Sequence, residues 1–293
     1  MTTTSLAQAG TIDTAAGGIP GTTTQVLSQR LGRVARELNS VLSITARDIT
    51  LVVKDPTVLV TSLIMPLLMM GMIGGNLMQN MAGGLGFDFG EFMLVGMFIN
   101  MLFMSTTMGM STLVDDHEID YTQEMLVAPV SRYSLIIGKV LGSSFMGLIS
   151  ALMVLVVGLV MGITLSIGQM LTLLALAPLM CLAGGALATI ILGVVHSKRA
   201  ANYAIMLITM PQMFLSGVVI PINHSEGLLM VLSRLMPMTY CVDLARSVLY
   251  GDTAAGEELV MFDPVVNLVA ILGLTVACLV LGTWLFARGA RNR

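Results

Sequence analysis

Asp116, Asp120 and Glu124 stand four residues apart, so on a helix their carboxylates line one face. They belong to residues 115–139, which carry seven charges between two long apolar runs that contain none. Such a face either grips something outside the membrane or keeps a solvated loop out of lipid. Pro129 ends the helix, and Ser131 is placed to cap the next one. Catalytic chemistry is hard to find elsewhere. Cys181, Cys241 and Cys278 are scattered without metal or redox spacing, and His117, His196 and His224 form no ligand pair. No glycine-rich loop ends in Gly-Lys-Ser/Thr, since Gly138-Lys139 is followed by Val140, so ATP-driven work would need an ATPase on another chain.

The elements that position this segment are membrane spans. Apolar residues make up 56% of the 293 and charged residues 11%, and the mean hydropathy is +0.90, far from a soluble domain of this length. Six stretches read as transmembrane helices: 57–79, 93–114, 140–163, 170–195, 203–222 and 265–287. Every Lys, Arg, Asp and Glu falls outside them, which argues against a proton relay or ion pathway.

Orientation follows from Lys and Arg. Arg30, Arg33, Arg36, Arg47, Lys54, Arg132, Lys139, Lys198, Arg199, Arg288, Arg291 and Arg293 share one side, against Arg234 and Arg246 on the other. Both termini and the acidic segment are therefore expected in the cytoplasm. Residues 1–24, rich in Thr, Ala and Gly, read as a disordered cytoplasmic tail and make a poor signal peptide. Residues 25–54 carry Leu31, Val34, Leu38, Val41 and Leu42 at helical spacing with arginines among the polar positions. They read as an amphipathic helix on the inner leaflet or packed on the protein's own base. Residues 55–293 read as one domain holding the six spans.

On the outer side, the connection after Pro221 is too apolar for solvated coil and is divided by Pro237. It reads as two short helices dipping into the outer leaflet, with Asp243 and Arg246 spaced to pair on the second. Met93, Met97, Met101, Met104 and Met108 make one stripe along the second span, suited to varied apolar ligands or to a helix packing seam. Asn100 and Gln212 are polar residues within spans and are expected to bond neighbouring helices. Gly138 to Gly142 and Gly158 to Gly162 have the small-residue spacing that lets helices approach closely.

The run Asp116-His-Glu118-Ile-Asp120-Tyr-Thr122-Gln-Glu124, then Pro129, Arg132 and Gly138-Lys139, resembles the cytoplasmic signature of type 2 ABC transporter permeases. Phe214 to Gly217 and Pro221, then Pro237, Tyr240, Asp243 and Arg246, resemble that family's C-terminal signature. His117 stands where the family usually has Arg, and Asp120 where it usually has Gly. The resemblance implies an all-α integral membrane fold: six spans, an N-terminal interfacial helix and a short extracellular helical hairpin before the last span. It implies a multi-pass subunit in the plasma (inner) membrane, paired with a second permease chain as a homodimer or heterodimer, and docked on ABC ATPase subunits that hold the ATP and Mg.

In that arrangement Asp116, Glu118, Asp120, Thr122, Glu124, Pro129 and Arg132 couple to the ATPase, and Lys198 and Arg199 either make a second cytoplasmic contact or serve only the positive-inside rule. Met93, Met97, Asn100, Met101, Met104, Phe214 and Gly217 would line the substrate path, and Pro221, Pro237, Tyr240, Asp243 and Arg246 the extracellular cap. The expected cargo is a hydrophobic or amphiphilic drug, antibiotic or lipid, exported among membrane lipids, with no role for nucleic acid. The alternatives are a secondary transporter or another polytopic membrane protein without ATP coupling; the first would require intramembrane charges or interrupted spans in matching halves, and a membrane enzyme a cluster of catalytic side chains at one depth.

Overall fold

The computed structural model describes residues 23–75, 87–112, 132–195, 197–223, 226–251 and 253–289, and among them all regular structure is helical. The helices are α1 (Thr23–Lys54), α2 (Pro56–Met69), α3 (Phe89–Gly109), α4 (Arg132–Val160), α5 (Ile167–Val194), α6 (Lys198–Leu215), α7 (Leu228–Leu235), α8 (Pro237–Tyr250), α9 (Ala254–Leu259) and α10 (Pro264–Gly289). The tail before Thr23 lies outside the described residues.

Side-chain caps fix several helix starts, because the first amides of a helix lack intrahelical acceptors. Asp55 accepts from the Thr57 amide at 2.9 Å, with Pro56 at the first helical position of α2. Asp88 accepts from Gly90 N at 2.7 Å and Glu91 N at 3.1 Å, so α3 begins before the expected 93. Ser166 and Gln169 form a reciprocal capping box on α5. Inside α2, Pro66 removes one backbone donor, and the helix widens into a π-helical turn at Met70–Gly74.

Helix α3 is the centre of the bundle. Phe92, Met93, Leu94, Met97, Phe98, Leu102 and Phe103 on it are at most 1% exposed. Helices α4, α5 and α8 pack around it, α10 packs on α5, and α1 and α2 pack on α4. Ser62 of α2 and Ser150 of α4 join their hydroxyls at 2.9 Å in a buried contact. Gly158 of α4 leaves room for Leu94, whereas Gly162 ends the helix region at φ +80°.

Among the described residues, four helical stretches are long and apolar enough to cross a membrane: Phe89–Gly109, Ile136–Val160, Ile167–Val194 and Ala255–Leu285. A fifth appears if α7 and α8, bent by 86° at their junction, count as one broken span. Helix α2 contributes a shorter apolar stretch, Val60–Gly74. Helix α6 opens on Lys198 and Arg199 and carries Asn202 and Gln212, which dilute its apolar character. It also stops at Leu215 and not at the expected 222, because Ser216 ends the helix and Gly217 turns the chain at φ +75°.

Candidate functional site

The two ends of the bundle differ in kind. At one end, Met110 beyond α3, Val140 of α4, Ala188 and Leu192 of α5 and Ala201 of α6 form a small separate core. The described helices on either side of the acidic segment end and begin here, and Arg199 sits exposed at the start of α6. Asp116, Glu118, Asp120, Thr122, Glu124 and Pro129 themselves lie outside the described residues, as do the side chains of Arg132 and Lys198. The fold thus brings the flanks of the two candidate cytoplasmic contacts to the same end.

Helix α1 packs along α4 at this end. Val41, Asp48 and Val52 are buried against it, and the Thr45 hydroxyl is 2.8 Å from Val41 O and 3.1 Å from Gly138 O. The Lys139 ammonium donates to Asp48, 3.0 Å from Oδ2 and 3.1 Å from Oδ1, with its side chain only 3% exposed. In the sequence Lys139 counted toward topology and closed the cytoplasmic signature, with no partner assigned, and Asp48 carried no role. The signal was there: Asp48 is an acid on the same helical stripe as Val41, Thr45 and Val52.

At the other end, α7 and α8 meet at Met236, with Pro237 at the first position of α8. The expected pairing of Asp243 with Arg246 does not form as an ion pair. Each side chain reaches away from its own helix instead, Asp243 to donors at the start of α10 and Arg246 to an aromatic ring on α3. Asp243 accepts from the Met261 amide at 2.8 Å, the Phe262 amide at 2.9 Å and Asn267 Nδ2 at 2.7 Å. It thereby holds the turn that leads into α10. Arg246 lays its guanidinium 3.8 Å from the Phe92 ring centroid and points Nη2 at Phe92 O, 3.5 Å away. Tyr250 donates to Glu91 at 3.5 Å. One face of α8 therefore ties α3 to α10.

Tyr240 donates to Arg234 O at 2.8 Å and stacks on Phe262, with ring centroids 5.9 Å apart. Pro221 and Pro237 are half-buried at the edges of the hairpin. A cleft between Ser216, Asn223, Thr239, Asp243 and Arg246 is closed too tightly to admit a ligand. Phe92, Glu91 and Asn267, which anchor the hairpin, were not singled out in the sequence, since their partners are far away along the chain.

Close backbone approach supports the Arg246 contact. A Cβ at Gly96 would stand 2.5 Å from Val218 O and 3.2 Å from Arg246 Nη2. Gly96→Ala is expected to destabilise the protein by about 1–3 kcal/mol through overpacking, read as a lowered thermal midpoint in detergent.

The substrate-path residues do not meet at one surface. Met93, Met97 and Asn100 are fully buried on α3, and Asn100 Nδ2 lies 3.9 Å from Met238 Sδ of α8. Met101 and Met104 are half-buried, Phe214 is 49% exposed on α6, and Gly217 is buried in the turn after it. Gln212 is fully buried, and neither of its amide atoms has a hydrogen-bond partner among the described residues, so the expected bond to a neighbouring helix is not made among them.

Residues 39–250 match the model of the ABC-2 type transporter family, a span that includes the acidic segment and the hairpin. The chain is also similar to Nodulation protein J of Rhizobium meliloti (strain 1021), 30% identical over 95 residues. That match covers 31% of this chain and 36% of the relative, so the chain spans about a third of the curated relative's length. With the family model covering most of a multi-pass helical bundle, the chain belongs to the ABC-2 type transporter family of membrane permeases.

Proposed function

We propose that this permease is the membrane half of an ATP-driven exporter, powered by separate ATPase chains that dock on residues 115–129. The observation that carries this reading is the family match across 39–250, which holds the acidic segment where two apolar helices of the bundle end and begin. The subunit works as a pair with a second permease chain, has six spans with both termini in the cytoplasm, and sits in the plasma membrane. Helices α2 and α6 supply the two spans beyond the four that length and composition mark out.

Asp116, Glu118, Asp120 and Glu124 present a negative face to a basic patch on the ATPase, which sets register and partner choice. Closure of the ATPases around ATP moves this segment, and the bundle alternates its access. Leu38, Leu42 and Val53 are 57% to 60% exposed on α1, with half-exposed Arg47 on the opposite side of the helix. That arrangement supports α1 lying in the headgroup layer of the inner leaflet. The α7–α8 hairpin caps the outer exit, and the cargo is hydrophobic or amphiphilic, since the spans offer it no charge.

Glu124→Lys and Asp116→Lys are each expected to weaken ATPase docking by about tenfold or more while leaving membrane insertion intact. Copurification of the ATPase with each variant reads this directly. Transport of labelled drugs and lipids into inverted vesicles of the complex then identifies the cargo. Active transport by the permease without any ATPase would overturn the exporter reading.

A further inference from the structure

Between α1 and α4 the contact is closer and more specific than lipid anchoring requires. A Cβ at Gly138 would meet Ile44 Cβ at 3.1 Å and Val41 O at 3.2 Å, and one at Gly142 would meet Asp48 Cβ at 2.7 Å. The two helices therefore touch backbone to side chain over a full helical turn. At the centre of that contact sits the Asp48–Lys139 pair, 3.0 Å apart, with Lys139 3% exposed and the Asp48 side chain 10%. A pair removed from water in this way gives little net stability, and its best-attested use is to fix register, because any slide leaves two charges unmatched. Lys139 lies on α4 shortly after its start at Arg132, where the acidic segment joins the bundle.

We propose that α1 and α4 move as one rigid body during transport, with Asp48 and Lys139 as the positioning pair that locks their register. Displacement of the acidic segment by the ATPase is then delivered to the membrane-surface helix as well as to the spans. This inference rests on the ATPase-driven reading above and adds to it which elements travel together.

The test uses the permease–ATPase complex carrying Ile44→Cys and Gly138→Cys, with Cys181, Cys241 and Cys278 replaced by alanine. The introduced Cβ atoms fall within a few tenths of an ångström of disulfide distance. Disulfide formation is followed in the nucleotide-free complex and in the complex trapped with ADP and vanadate. Equal rates in both states are expected. A slide of one helical turn, about 5.4 Å, would carry the pair out of bridging reach, so crosslinking lost in one state overturns the rigid body.

The same crosslink is then read in Asp48→Ala/Lys139→Met, which removes both charges and leaves the helices free to fold. Crosslinking that becomes partial or state-dependent there, and that recovers in the charge-exchanged Asp48→Lys/Lys139→Asp variant, supports the pair as the lock. Crosslinking unchanged without the charges overturns that role. Failure of the parent complex to trap ADP with vanadate overturns the ATPase reading itself, and the inference with it; trapping with lost crosslinking overturns the inference alone.

Discussion

Asp243→Ala is expected to cost about 3–5 kcal/mol of stability. The carboxylate accepts three hydrogen bonds, from Met261 N, Phe262 N and Asn267 Nδ2, all at 2.9 Å or less. Hydrogen bonds to a charged group contribute about 1.5–3 kcal/mol each, and alanine leaves every one of these donors without its acceptor. It also removes a negative charge that attracts a guanidinium only 3% exposed. Asp243→Asn keeps one acceptor oxygen and is expected to lose roughly half as much. Thermal unfolding in detergent, followed by loss of monodisperse protein, measures both. A midpoint that does not fall in Asp243→Ala would show that the turn into α10 is held by packing alone.

Lys139→Met is expected to destabilise by about 3 kcal/mol, because it strands the Asp48 carboxylate in a site nearly closed to water. The figure sits at the low end for a broken buried pair, since Arg47, 51% exposed and 3.7 Å from Asp48, supplies weak compensation. Asp48→Ala/Lys139→Met is expected to recover most of the loss, as replacing both partners leaves no unmatched charge. A double-mutant cycle of thermal midpoints, with Asp48→Ala as the other single variant, reads the coupling. Strictly additive effects would mean that the two side chains do not depend on each other.

Much of the bundle was legible in the sequence, for a reason rooted in solvation. A helix facing hydrocarbon must be apolar over its whole length, so Phe89–Gly109, Ile136–Val160 and Ile167–Val194 stand out from their charged surroundings. Their starts were less legible, because Asp88 and Ser166 extend the helices by capping, beyond the apolar run. The end of α6 was misplaced for the opposite reason: the sequence stays apolar through Val218 and Val219 while Gly217 has already turned the chain.

The candidate sites divide along the same line. Proline, spacing and charge marked the α7–α8 hairpin and its two charged residues, yet spacing of three within one helix suggested that Asp243 and Arg246 face each other. Burial decided otherwise. In an apolar interior a carboxylate needs hydrogen-bond donors, and Asp243 finds them in the turn before α10, while the Arg246 guanidinium lies over the Phe92 ring of α3; both sets of partners are far off in sequence. The methionine stripe was equally visible, but only packing separates Met93 and Met97, sealed in the core, from the half-buried Met101 and Met104.

The sequence by itself determined the solvent, the class and the family: hydropathy fixes what must lie in lipid, and the acidic run with its proline names the kind of permease. Tertiary structure alone decided which helices touch and which charges are buried. Gly138 and Gly142 could have served any close approach, and the packed fold spends them on α1, with Asp48 and Lys139 meeting across it. Those pairings depend on contacts between residues about ninety positions apart, which local spacing along the chain does not encode.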